Sequence, residues 1–154
     1  GVNLGIGSIV NVMLFDFLGN LVGSYTCTNF LTELGEAYLA DRLSDRNQAD
    51  GDIDGMEIGK GTGQSRTSTG LATSLARVSA TVAQGTGGDD NDVIYTATFG
   101  TSVPATDETI TEGALFSNPT TLGTMINYFE FSPGIFKATT MTLVITVTFT
   151  VGAS

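Results

Sequence analysis

The closing stretch of the chain alternates in a way only an extended strand can use. Met141, Leu143, Ile145, Val147, Phe149 and Val151 fall on one parity, with Thr142, Thr146, Thr148 and Thr150 between them. A helix would scatter both sets around its circumference, whereas a strand sends one set to a core and the other to a threonine-rich surface. The same period recurs over residues 76–82 and 93–99. The polar, glycine-rich residues 85–92 between these two runs suit a hairpin loop.

Two further strands are expected at residues 109–116 and 124–131, joined through residues 118–121, with Ser132-Pro133-Gly134 punctuating the way to the last strand. Near the start, residues 9–17 are almost continuously apolar, as in a strand covered on both faces. Gly19-Asn20 fits a two-residue hairpin turn after it. One helix is expected over residues 30–43, capped by Asn29, with Phe30, Leu34, Ala37 and Tyr38 on one face. Gly35 works against it. A short strand follows at residues 56–58. The expected fold is all-β: an antiparallel β-sandwich, jelly-roll or Ig-like, of about eight strands with one α-helix, forming a single domain over residues 1–154.

Composition narrows the chemistry. The chain has 154 residues, 41% of them apolar, enough for a core without disulfides or metal. Sixteen acidic against six basic residues give a net charge of −10, which repels phosphate backbones, so nucleic acid is not an expected partner. There is no His, which removes His-based triads and most zinc sites. The single Cys27 has no thiol partner and lies in an apolar-flanked run, which favours a buried, inert thiol. No apolar stretch approaches a membrane span of about 20 residues, and no leader-like segment opens the sequence, so no membrane association is expected.

Four segments hold chemistry-bearing residues. Asp50, Asp52 and Asp54, followed by Gly55, copy the start of a calcium loop, but position 12, which needs a bidentate Glu, is Gly61. They are the calcium candidate; no other cofactor is expected. Residues 59–63, Gly-Lys-Gly-Thr-Gly, resemble a phosphate-cradling loop but lack the hydroxyl after the lysine and the glycine five residues before it. Residues 89–92 form an acidic loop tip. Glu112 shares the parity of Ile110, Ala114 and Phe116, which aims a carboxylate at the core and requires a partner or a raised pKa. Arg77 is one candidate partner. A structural Glu112 is the simpler reading, with a carboxylate-pair glycan hydrolase as its rival.

Several stretches, in order, resemble a group of tailed-phage structural proteins known as head- or tail-fibre proteins. Residues 58–63 are similar to the group's "IGTGT" loop and residues 94–99 to its "YTATF" strand. Residues 110–116 are similar to "ITEAGLF", with Gly113 and Ala114 in swapped order. The small-residue stretch at 69–72, the Arg77 strand and the threonine-rich closing strand complete the likeness. The resemblance implies an all-β virion protein with no catalytic residues. With an acidic, repeat-free chain, it points to a capsid decoration or cement protein facing away from packaged DNA, assembling as a homo-oligomer (a trimer first) against the major capsid protein. The N-terminal run, residues 2–17, is the expected donor for strand addition to a neighbour. The alternative is a tail-fibre or tail-tip receptor-binding module that recognises a host surface glycan or protein.

Overall fold

The computed structural model describes residues 5–44 and 51–152. In chain order these form β1 (Gly5–Phe15), β2 (Leu21–Cys27), β3 (Asn29–Leu31), α1 (Glu33–Ser44), β4 (Gly55–Gly59), β5 (Ser74–Gln84), β6 (Asp92–Phe99), β7 (Glu108–Phe116), β8 (Asn127–Lys137) and β9 (Thr142–Gly152). The ladder runs β2-β1-β9-β6-β5-β4-β7-β8-β3, and every pairing is antiparallel. The expected all-β antiparallel fold with one helix is what the chain adopts, with nine strands.

One strand serves two halves. Residues 74–79 of β5 pair with β4, while residues 80–84 pair with β6. Val10 and Val12 of β1, Ile145 and Val147 of β9, Met56 and Ile58 of β4, and Phe129 and Ile135 of β8 belong to one buried cluster. The two halves therefore face each other across a shared core, as sandwich layers do. β2 and β3, at opposite ends of the ladder, are separated in sequence by Thr28 alone, so the two terminal strands are parts of one bent segment. The longest ladder joins β1 to β9 over eleven pairs, from Gly5↔Gly152 to Phe15↔Thr142.

Several local expectations are corrected. β1 is not covered on both faces: Val10, Val12 and Leu14 are buried, but Ile9 and Met13 are 45% and 39% exposed. The β1–β2 connection spans five residues rather than two, because the Asp16 carboxylate accepts the Leu18 and Asn20 amides, each at 2.9 Å, and builds its own turn. The helix begins three residues late. Asn29 does not cap it but lies in β3, paired with β8, and Thr32 is the cap, its Oγ1 accepting the Gly35 amide at 2.9 Å. Gly35, which seemed a helix weakness, lets the helix reach the sheet: a Cβ there would lie 2.0 Å from the Ile126 carbonyl oxygen. β8 continues as a strand through Ser132-Pro133-Gly134, but its pairing with β7 is interrupted there, the register jumping from Ile110↔Ile135 to Glu112↔Glu130.

The outer face of the first half carries the row Thr26, Asn11, Thr146, Thr96, Thr81 across five neighbouring strands, none of them charged. The outer face of the second half is different. Glu57, Arg77, Ala114, Phe116, Glu112 and Tyr128 lie on it, and the connections over residues 60–73 and 117–125 cover it. A second, smaller apolar cluster of Ala114, Phe116, Met125 and Tyr128 sits there, flanked by Phe30 and Leu71.

Candidate functional site

This covered face gathers the charged side chains that a core would otherwise reject. Glu112 reaches it by a change of parity. The β7–β8 register shifts between Ile110 and Glu112, so Ile110 and Leu115 face the main core while Glu112, Ala114 and Phe116 face outward under the covering loops. Glu112 is fully buried, as its alternation predicted, but in the smaller layer and without Arg77. Its Oε1 accepts the Ala72 amide at 2.6 Å and, more weakly, the Thr73 amide at 3.4 Å, while Oε2 is buried without a hydrogen-bond partner. The Gly61 backbone comes so close that a Cβ on it would stand 2.7 Å from Oε2.

Directly across the ladder is Glu130, whose Oε1 accepts the Gly63 amide at 2.6 Å and the Tyr128 hydroxyl at 2.9 Å. Thr111 Oγ1 adds a bond to the Gly61 carbonyl at 2.7 Å. The connection over residues 60–73 thus points backbone amides at two carboxylates of its own chain: Gly63, in the segment that looked like a phosphate cradle, at Glu130, and Ala72 and Thr73, near its end, at Glu112. Those amides are the donors an anion would need. The loop is a clasp, closed on Glu112 and Glu130.

Arg77 has a different partner. Its Nε donates to Glu57 Oε2 at 2.8 Å, and the guanidinium lies 3.7 Å over the Phe116 ring. Its Nη1 donates to the Leu122 carbonyl at 2.5 Å and the Asn118 carbonyl at 3.3 Å. A groove of about 540 Å³ opens beside this pair, with Thr69, Ser74, Thr120 and Thr121 among its walls.

Of the calcium candidate, only Asp52 and Asp54 are described; Asp50 lies outside the described residues. The Asp52 side chain is 86% exposed and pairs with Arg42 at 3.4 Å, while Asp54 Oδ1 is buried with no hydrogen-bond partner. Among the described residues no group of three acidic or cysteine side chains is placed to hold a metal ion. The 89–92 tip is tied internally, with Asp92 Oδ1 accepting the Thr150 hydroxyl at 2.6 Å. Cys27 is half-buried, and burial pushes its thiol up to about 11, which keeps it protonated at neutral pH.

Glu57, Glu130 and Lys137 escaped the sequence reading. Lys137 is 1% exposed and donates to the Gly100 and Met141 carbonyls, each at 2.9 Å. Glu57 had a visible signal, a carboxylate between Met56 and Ile58 in an otherwise apolar strand. Lys137 had none, because its parity becomes readable only once the end of β8 is known.

No protein-family model, curated protein or solved structure matches this chain.

Burial raises the Glu112 pKa; the Thr73, Ala72 and Gly61 amides oppose the shift, and the Glu130 charge adds to it. The folded-state pKa exceeds the unfolded one, so the stability linked to this group is full below the unfolded Glu range. It is lost as pH rises through the raised folded value. Glu112→Gln keeps an acceptor for the Ala72 amide and removes the titration. Denaturant midpoints between pH 4 and 7 should then fall less steeply with rising pH than in the parent chain. Parallel curves for the two proteins would exclude Glu112 as their source.

Proposed function

We propose that this chain is a non-enzymatic structural subunit of a tailed-phage virion that decorates the capsid through protein–protein contacts. Two features support the reading. The ionisable groups of the covered face are spent on the chain's own backbone, as Glu112, Glu130 and Arg77 illustrate. The stretches that carry the phage likeness also lie on strands adjacent in the ladder, β9-β6-β5-β4-β7, together with the loop that Glu112 clasps.

The observation that carries the proposal is the β1–β2 tip. Phe17 and Leu18 are 75% and 71% exposed, with Leu21 and Val22 beside them at 54% and 51%. The turn is fixed by Asp16, whose carboxyl is held below its ordinary range chiefly by the Asn20 backbone amide. A large apolar pair on a pre-formed turn loses little conformational entropy on docking, which is how interface anchors work.

Replacing both residues, Phe17→Ser with Leu18→Ser, is expected to leave the melting temperature within about 2 °C, since neither side chain is buried. Occupancy on purified capsids should fall tenfold or more, as about 2 kcal/mol per anchor predicts. Unchanged occupancy would remove the tip from the interface. A host-receptor module remains the second reading, favoured by the hydroxyl-lined groove beside Arg77. Binding of the isolated chain to host cell envelopes, with none to capsids, would select it.

A further inference from the structure

The outward face of the first half is almost free of charge. Across β1, β2, β6, β9 and residues 79–84 of β5, Asp92 is the only charged residue, although the chain carries sixteen acidic and six basic residues. It stands at the start of β6, where its Oδ1 accepts the Thr150 hydroxyl. On either side of the row that runs through Thr146 lies a row with larger apolar side chains. One holds Ile94, Thr148 and Ile9, the other Thr98, Val144 and Met13, on the same three strands. Ile9 and Met13 are exposed, and Ile94 and Val144 half-buried.

We infer that this face packs against the same face of a second copy of the chain, forming a two-fold dimer. Charge selects that occupant. A copy brings the same net charge of −10, so it approaches closely only where neither surface presents acids, and this face meets that condition on both sides. A basic partner drawn by the net charge finds no carboxylate here except at the start of β6. Over residues 10–15 β1 is paired on both sides, so there it offers a neighbour its face and not, as expected of residues 2–17, an added strand.

The extent of the face agrees. Five strands at roughly 4.8 Å spacing and about 25 Å of shared length give about 600 Å² per copy. Two copies together bury about 1,200 Å², which reaches the range of specific, stable interfaces. The pattern is also self-complementary. A two-fold axis along β9 sets Thr146 on Thr146 and Ile9 of each copy on Ile94 of the other. Asp92 then lies over Gly7, since both pair with Thr150, and no acid meets an acid. The dimer goes beyond the decoration reading and holds with or without a capsid.

Sedimentation of the full chain tests it. The parent should be a dimer at about 10 µM, as an interface of this size allows. Raising salt from about 0.02 to 0.5 M should tighten it severalfold, by screening the two net charges from each other. Thr146→Glu and Thr146→Lys should each weaken self-association by about a hundredfold or more, because each sets a charge against its own counterpart on the axis. Mixed in equal amounts, the two variants should recover the dimer, which misfolded chains could not do. A monomeric parent overturns the inference, including one whose face is protected from exchange by a capsid or a glycan instead. So does a dimer that weakens with salt, one that survives both substitutions, or a mixture that stays monomeric. The Phe17 and Leu18 variants leave this face intact, so capsid occupancy is judged separately.

Discussion

Arg77→Ala is expected to cost about 3–5 kcal/mol, because it leaves the Glu57 carboxylate in a covered site with no cation. For a chain of this size that corresponds to a fall of roughly 6–20 °C in Tm. The two side chains are only 6% and 10% exposed, so solvent does little to replace the lost partner. More than a charge goes with the guanidinium. Its contact over Phe116 and its bonds to the Leu122 and Asn118 carbonyls hold residues 117–123 down on the sheet. The decisive comparison is the double variant Arg77→Met with Glu57→Leu. An apolar pair of similar volume should recover stability to within about 2 kcal/mol of the parent, since a buried ion pair gains little over well-packed hydrocarbon. A double variant as unstable as Arg77→Ala would locate the loss in the loop contacts and not in the orphaned carboxylate.

Lys137→Ala should also cost about 3–5 kcal/mol, by opening a cavity and withdrawing two charge-assisted hydrogen bonds. Lys137 forms none of the ion pairs among the described residues. Glu108, opposite it in the β7–β8 register, turns instead to Lys60 at 3.4 Å. The ammonium thus bridges the Gly100 and Met141 carbonyls and holds two loops together at one end of the sandwich. Burial lowers its pKa. The folded value lies below the unfolded one, so the linked stability is full above the ordinary lysine range and is lost as pH falls through the folded value. The parent should accordingly gain stability toward alkaline pH relative to Lys137→Met, which fills most of the space without titrating. That variant should cost less than the alanine, about 1–2 kcal/mol. Urea midpoints measured for both proteins from pH 7 to 10 would decide it, and a constant difference would mean that the ammonium titrates normally.

Strand content was legible wherever one face is dry and the other wet. β6 follows its alternation throughout and β9 does so as far as Phe149, Val151 being exposed, and the 85–92 connection is the hairpin loop its composition implies. Legibility failed where a second layer covers the sheet. On β7 a register shift sends Glu112 away from the face of Ile110, and no period-two count can detect an irregularity set by the neighbouring strand. The same limit hid β3, a three-residue strand stabilised by pairing with residues 127–129 and not by its own pattern. The helix start was misplaced because Asn29 and Thr32 are both good caps. Pairing with β8 claims the first, and the approach of the helix to Ile126 fixes the second. At the candidate site, the burial of Glu112 was readable from the sequence. Its partners, backbone amides some forty residues upstream, were not.

The eleven-pair ladder that ends at Gly5↔Gly152 also sets how the molecule answers to load. Both ends of the described chain leave from the same end of one antiparallel pair. Tension applied between them strains a single cross-strand pair at a time, and β1 and β9 peel apart like a zipper. Pulling instead between the Phe17 tip and Gly152 loads the same ladder along its length, so many pairs must yield together. A neighbour that grips the tip thus engages this fold along its mechanically resistant axis.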